Sequence, residues 1–198
     1  MLTYKFLLIG DTFVGKSCLR KRYINKRYHN NLSSTIGIDF GIKTLRFENK
    51  TVKFHIWDTS GNSVYHSTIQ PYYKNTDCIL LVFDISNHQT FDNLKTHMNY
   101  IKNLKYDIPI ILIGNKNDLK KDVNTIDINN FVQKNKIYKY ITTSAKYNIN
   151  INIIFKYFLD NIIKLDYTVI HKEHIHEKHT HKCCDIINIF EKFINFQI

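Results

Sequence analysis

Residues 10–17 read GDTFVGKS, the spacing G-x-x-x-x-G-K-S. The apolar run KFLLIG leads into this segment and a helical pattern leads out of it. In that context successive backbone N–H groups at a helix N-terminus wrap a phosphate chain. Asp11, Thr12, Phe13, Val14, Gly15 and Cys18 then belong to the cradle. Lys16 reaches the β- and γ-phosphates, and the Ser17 hydroxyl ligates Mg²⁺. The chain has only six glycines, and two of them fall here, which argues against a chance match.

A second cluster, NKND at Asn115 to Asp118, follows the run IPIILIG. In a chain rich in Asn and Lys this tetrapeptide alone is as good a turn as a site. Its place after a strand, downstream of the phosphate loop, favours the site. The Asp118 carboxylate can accept from both N1–H and the 2-amino group of guanine. Adenine lacks both donors, and leaving a buried carboxylate unpaired supports discrimination of ~10⁴-fold or more. The Lys116 stem can lie along the base. TSAK, Thr143 to Lys146, then places Ser144, Ala145 and Lys146 beside the base, with the Ala145 N–H directed at the guanine O6.

The remaining phosphate-side groups come from WDTSGN and SSTIGIDF. Asp58 ends an apolar strand and can hold Mg²⁺ through water, and the Gly61 N–H can approach a γ-phosphate. The Thr35 hydroxyl completes the metal shell only while the γ-phosphate is present. That contact would order a loop with GTP and release it after hydrolysis.

These groups need a scaffold, and the hydrophobic pattern supplies one. KFLLIG, CILLVFDI and IPIILIG are continuously apolar, as buried parallel strands are. TFDNLKTHMNYIKNL and NINIIFKYFLDNIIKL carry helical periodicity. FGIKTLRF and TVKFHIWD are separated only by Glu48, Asn49 and Lys50, which predicts an antiparallel hairpin at one edge. Strands alternating with helices imply a parallel sheet covered on both faces.

With these motifs in order, the chain resembles the Rab family of Ras-superfamily small GTPases over residues 3 to 165. The family signal lies in IGIDF, KFHIWDT, PYYKNT and LVFDIS. The resemblance implies an α/β, three-layer P-loop NTPase G domain with five helices. Its six-stranded sheet would be mostly parallel, with one antiparallel edge strand. It implies GTP/GDP and Mg²⁺ as cofactors, and regulation of membrane trafficking at the cytosolic face of an endomembrane. Exchange factors, activating proteins, a dissociation inhibitor and effectors are the implied partners of a monomeric switch. Tyr28 would cover the edge of the guanine ring, and Phe40, Trp57 and Tyr72 match the aromatic triad offered to effectors.

Three departures stand out. Asn62 occupies the position where the family's Gln orients the attacking water. Its amide has about 1.5 Å less reach, and a misplacement of ~1 Å can cost ~10²-fold. Catalysis by Lys16, Gly61 and Asn62 is therefore expected to be slow. The alternative is a GTP-loaded effector-binding module without meaningful hydrolysis. Phe13 stands where relatives carry a small residue, which again argues for weakened hydrolysis rather than lost binding. An ATP-dependent kinase shares the phosphate loop, but NKND and TSAK argue against it.

The third departure is the end of the chain. The G domain is expected to span 1–165, followed by a His-rich linker with CysCys over 166–184 and an amphipathic helix over 185–198. The family's paired cysteines are terminal, whereas Cys183 and Cys184 precede DIINIFEKFINFQI. A membrane surface with palmitoylated Cys183 and Cys184, docking of the helix on the G domain or on a partner, and a translated extension all remain open. His171, His174, His176, His179 and His181 keep no helical face and read as a polar linker rather than a metal site.

Composition sets outer bounds. A length of 198 residues and 43% hydrophobic content fit one packed domain. No apolar run is long enough for a membrane span, and the N-terminus shows neither a signal peptide nor a myristoylation glycine. The net charge of +11 is not read as nucleic-acid binding, because only four of the 28 basic residues are Arg and the Lys bias is general. The basic run RKRYINKR, Arg20 to Arg27, reads as a solvated helix end. Four cysteines without a disulfide framework indicate a reducing compartment.

Overall fold

The computed structural model describes residues 1–28, 33–47, 50–104 and 107–163. The chain divides into two compact units, Met1–Phe155 and Lys156–Ile198. The first contains a six-stranded sheet in the order β2-β3-β1-β4-β5-β6. The strands are β1 (Leu2–Ile9), β2 (Ile38–Phe47), β3 (Lys50–Thr59), β4 (Cys78–Asp84), β5 (Ile110–Asn115) and β6 (Lys139–Thr142). Only the β2–β3 pair is antiparallel; its register runs from Ile38 opposite Thr59 to Phe47 opposite Lys50. The predicted hairpin and the predicted parallel core are therefore both present.

The helices of the described residues are α1 (Lys16–Asn25), α2 (His66–Ile69), α3 (His88–Asp92), α4 (Leu94–Asn103), α5 (Thr125–Lys134) and α6 (Ile151–Tyr157). Asn93 remains in the right-handed helical region between α3 and α4. Those two segments are one interrupted helix, so five helices accompany the sheet as expected. Short 3₁₀ turns at Ser63–Tyr65 and Gln70–Tyr73 flank α2. The described part of the second unit is helical, ending in a π-helical turn at Phe158–Ile163.

Every residue of β4 and of β5 is buried, which is why these strands read as unbroken apolar runs rather than alternating ones. Beneath α1 an aromatic cluster forms: Tyr23 stacks on Phe155 at 3.7 Å, and Phe155 meets Phe6 at 5.1 Å and Phe54 at 5.7 Å. This packing fixes α1, and with it the loop between β1 and α1.

One expectation fails in part here. The run from Arg20 to Arg27 is a solvated helix end only at Asn25, Lys26 and Arg27, which are exposed; its first part is not. Lys16, Leu19, Arg20 and Tyr23 form the buried stripe of α1, with Arg20 only 8% exposed. The Arg20 guanidinium can be buried because it pairs with Asp39 and donates to the Phe40 carbonyl at 3.0 Å. The linker at 166–184, the helix at 185–198, Cys183, Cys184 and the five linker histidines lie outside the described residues.

Candidate functional site

At the C-terminal ends of the parallel strands lies a cavity of about 360 Å³, lined by both sequence clusters. Thr12, Phe13, Gly15, Lys16, Ser17 and Cys18 form its phosphate-loop wall, and Gly61 and Thr35 close the same end. Asn115, Lys116, Asp118, Ala145 and Lys146 form the other end together with Tyr28. Ser33, Ser34 and Leu119 also line it and carried no sequence signal beyond their proximity to the motifs.

The phosphate loop owes its path to backbone geometry. Gly15 has φ 98°, and a Cβ there would lie 2.3 Å from the Asn115 Nδ2. Only glycine serves that turn. Helix α1 then begins at Lys16 with no acidic side chain in its first turn, leaving its N–H groups and the positive end of its dipole to an anion. Gly61 meets the loop from the opposite side: a Cβ on it would stand 2.1 Å from the Thr12 nitrogen.

Lys16 is buried, and its ammonium donates to the carbonyls of Gly10 and Asp11, each at 2.7 Å. Burial lowers its pKa to about 8, against the opposing pull of Asp58 and Asp11. A phosphate chain would restore the charge that burial disfavours. The Cys18 thiol is pushed up, chiefly by burial, and so favours its neutral form. Val14 is fully buried and takes part only through its carbonyl, which accepts from the Asn115 Nδ2 at 2.9 Å.

The groups expected to serve Mg²⁺ fit that ion. The Ser17 and Thr35 hydroxyls lie 2.8 Å apart, although they are 18 residues apart in sequence. Asp58 is fully buried, and neither carboxylate oxygen has a hydrogen-bond partner. Burial pushes its carboxyl up, while Ser17, Lys16 and Arg20 pull it down. Such an orphaned buried carboxylate is costly unless a cation balances it. An all-oxygen set of two hydroxyls and a carboxylate matches the hard-ligand preference of Mg²⁺.

At the base end, Asn115 works as a structural tie. Its Oδ1 accepts from the Thr143 hydroxyl at 3.1 Å and from the Ala145 N–H at 3.3 Å. The Ala145 N–H expected to face the guanine O6 thus makes a long bond to Asn115 in this structure. The Ser144 hydroxyl donates to Asp118 at 2.6 Å, orienting the carboxylate; the Ser144 side chain itself is buried behind it. Lys116 has φ 62° and pairs its ammonium with Asp84 at 2.6 Å.

Arg22, missed as part of the basic run, holds this end together. Its Nε donates to the Ala145 carbonyl at 2.8 Å and its Nη2 to the Lys146 carbonyl at 2.7 Å. The guanidinium carbon also lies 5.5 Å from the centre of the Tyr28 ring. One side chain of α1 thus touches both the TSAK loop and the ring expected to cover the base.

Some expected residues stand apart. The Asp11 side chain turns from the cavity, accepting from the Asn93 Nδ2 at 2.7 Å and meeting the His97 Nε2 at 2.8 Å. Burial alone would raise its carboxyl, but the His97 and Asn93 hydrogen bonds leave it below its ordinary value. Asn62 is exposed and does not line the cavity; its Oδ1 accepts from the Val64 N–H at 3.0 Å and caps a 3₁₀ turn. Phe13, by contrast, does line the cavity, although it is 70% exposed, at φ 65°. Away from the cavity, Phe40, Trp57 and Tyr72 do converge, with ring centres 4.5 and 4.9 Å apart along the series.

The Ras family model matches residues 5–164. Ras-related protein SEC4 of Saccharomyces cerevisiae is 38% identical over 152 residues, covering 76% of this chain and 71% of its own. Ras-related protein Rab-2B of Dictyostelium discoideum is 32% identical over 164 residues, 81% of each chain. Ras-related protein Rab-9A of Rattus norvegicus is 32% identical over 197 residues, 91% of this chain and 96% of its own. This chain is a Rab-family small GTPase. The activity of such proteins is hydrolysis of GTP to GDP and phosphate, and the Rab fold accounts for the six-stranded sheet with its single antiparallel pair. Among the described residues of this Rab protein, no helix is long and apolar enough to cross a membrane.

Proposed function

We propose that this Rab-family chain is a GTP/GDP switch in vesicle-mediated membrane trafficking that binds GTP with Mg²⁺ and hydrolyses it slowly. The observation that carries the reading is the single cavity in which Lys16 and the phosphate loop oppose Asp118, Lys116 and Ala145. A cavity with a phosphate-seeking end and a guanine-selective end suits a guanine nucleotide better than ATP. Ser17, Thr35 and Asp58 would hold Mg²⁺, which when bound neutralises phosphate charge. The Gly61 and phosphate-loop amides would orient the γ-phosphate, and Lys16 would stabilise charge developing there.

Slow hydrolysis is supported by Asn62. Its short amide is exposed and already engaged with Val64, so it must leave that bond to position a water. The same observation favours a second reading, a GTP-loaded module that recruits effectors with little turnover of its own. Under either reading the contiguous rings of Phe40, Trp57 and Tyr72 are the proposed effector surface. Exchange factors, activating proteins and a dissociation inhibitor would drive the cycle of a monomer at the cytosolic face of an endomembrane. Attachment there, with Cys183 and Cys184 as candidate lipid sites, rests on the sequence alone.

Single-turnover hydrolysis with Mg²⁺, run beside Asn62→Gln, tests the assignment. A faster Gln variant, by ~10-fold or more, is expected if reach limits the reaction. Equal rates would refute the role given to Asn62. Preferential binding of ATP over GTP would refute the cavity assignment itself.

A further inference from the structure

Arg20 is a charged group beside this site that none of its motifs includes. It lies one turn beyond Lys16 on the buried stripe of α1, shared with Leu19 and Tyr23. Its guanidinium faces Asp39, the Phe40 carbonyl and Asp58. Nη2 pairs with the Asp39 carboxylate, Nη1 donates to Phe40, and Nε lies 3.7 Å from the Asp58 Oδ2. That Nε has no hydrogen-bond partner, and neither has either Asp58 oxygen. Two buried opposite charges therefore lie within ion-pair distance, with no hydrogen bond between them.

A guanidinium keeps its charge at any physiological pH. Asp39 offsets that charge only in part, because its side chain is 53% exposed and solvent screens it. Lys16 is a second positive charge acting on Asp58, but its ammonium is anchored on the Gly10 and Asp11 carbonyls and is the group expected to meet the phosphates. We propose that Arg20 is a built-in counter-cation for Asp58, making nucleotide retention by this chain less dependent on Mg²⁺ than it would be without Arg20. The inference rests on reading the cavity as a Mg²⁺–guanine nucleotide site. When the metal is absent, Arg20 spares the protein an uncompensated buried carboxylate. When the metal binds, the same positive charge opposes it. Both effects flatten the Mg²⁺ dependence.

The test uses the full chain loaded with fluorescently labelled GDP. Release is followed in excess Mg²⁺, after EDTA, and across a free-Mg²⁺ titration. Relative to the native chain, Arg20→Leu is expected to show about five-fold greater acceleration by EDTA. Its Mg²⁺ midpoint should be lower by a similar factor. Equal EDTA ratios and equal midpoints would overturn the role of Arg20. Should Arg20→Leu fail to fold, Asp39→Asn serves instead: it removes the competing carboxylate and should move the Mg²⁺ midpoint upward, and an unmoved midpoint overturns the proposal. Failure of the native chain to bind labelled GDP would overturn the cavity reading, and this inference with it.

Discussion

Arg22→Ala removes a fork that spans 123 residues of sequence to hold the loop expected to read the base. Two bonds from a charged donor to that loop are lost, at 2.8 and 2.7 Å, besides a local one to the Lys26 carbonyl at 3.0 Å. Bonds of this kind are worth about 1.5–3 kcal/mol each when buried. Arg22 is half-buried, so water partly replaces the lost contacts and about 1 kcal/mol per bond is the better figure. These bonds exist without ligand, so their loss acts through loop order. If about 2 kcal/mol of ordering disappears, the ordered-to-disordered ratio of the loop falls roughly thirty-fold, and the apparent Kd for GDP rises by up to that factor. Stopped-flow release of labelled GDP and a thermal melt check this together. Arg22→Lys, a point charge without the planar fork, should fall between the native chain and the Ala variant. A release rate within two-fold of native, accompanied by a lower Tm, would refute the reasoning. It would show that Asn115 and Ser144 hold the loop unaided.

Two further outcomes follow from the phosphate loop. The Lys16 pKa is lowered to about 8 in the folded chain against an ordinary 10.5. Between those values the unfolded chain binds more protons, so burying this charge costs stability below pH 8 and the cost is relieved as pH rises. Phosphates restoring the charge should make GDP binding take up about half a proton at pH 8 and weaken above it. Calorimetry in two buffers of different protonation enthalpy measures this, and zero uptake would refute it. Phe13 holds φ 65°, a left-handed conformation costing ~1 kcal/mol for a residue with a side chain. Phe13→Gly should raise Tm by about 2–4 °C, and an unchanged or lower Tm would show that no strain resides there.

That the candidate site would gather these motifs around one cavity was largely legible in the sequence because its grammar is local. GDTFVGKS and NKND follow apolar strands and TSAK follows the short strand KYIT, and parallel strands deliver all three loops to one end of the sheet. The side chains that brace those loops were not legible. Arg20 and Arg22 sit in a run of basic residues, and such a run looks solvated until its distant partners are placed. A signal for Arg20 did exist: with Lys16, Leu19 and Tyr23 it keeps the spacing of one helical face. Nothing comparable marked Arg22, whose carbonyl partners carry no side-chain identity. Asp11 looked like a cradle residue by position, yet its carboxylate serves Asn93 and His97 in the α3–α4 region, more than 80 residues away. The role of Asn62 as a cap depends on the short 3₁₀ turn after it, which has no periodicity to read.

The β2 strand also bears on the risk that copies of the chain pair edge to edge. It runs for ten residues and pairs with β3 on one side, at the end of the strand order. A long exposed edge of that kind invites a second chain to continue the sheet, above all in segments of about six residues without charge. The sequence IDFGIKTLRF contains no such segment, because Asp39, Lys43 and Arg46 interrupt it. Lys43 is the critical interruption: without its charge, residues 40–45 become an uncharged hexapeptide rich in β-formers. Its ammonium also reaches the Ile24 carbonyl at 3.3 Å, so the residue that guards the edge is tethered to the same α1 helix that carries the phosphate loop.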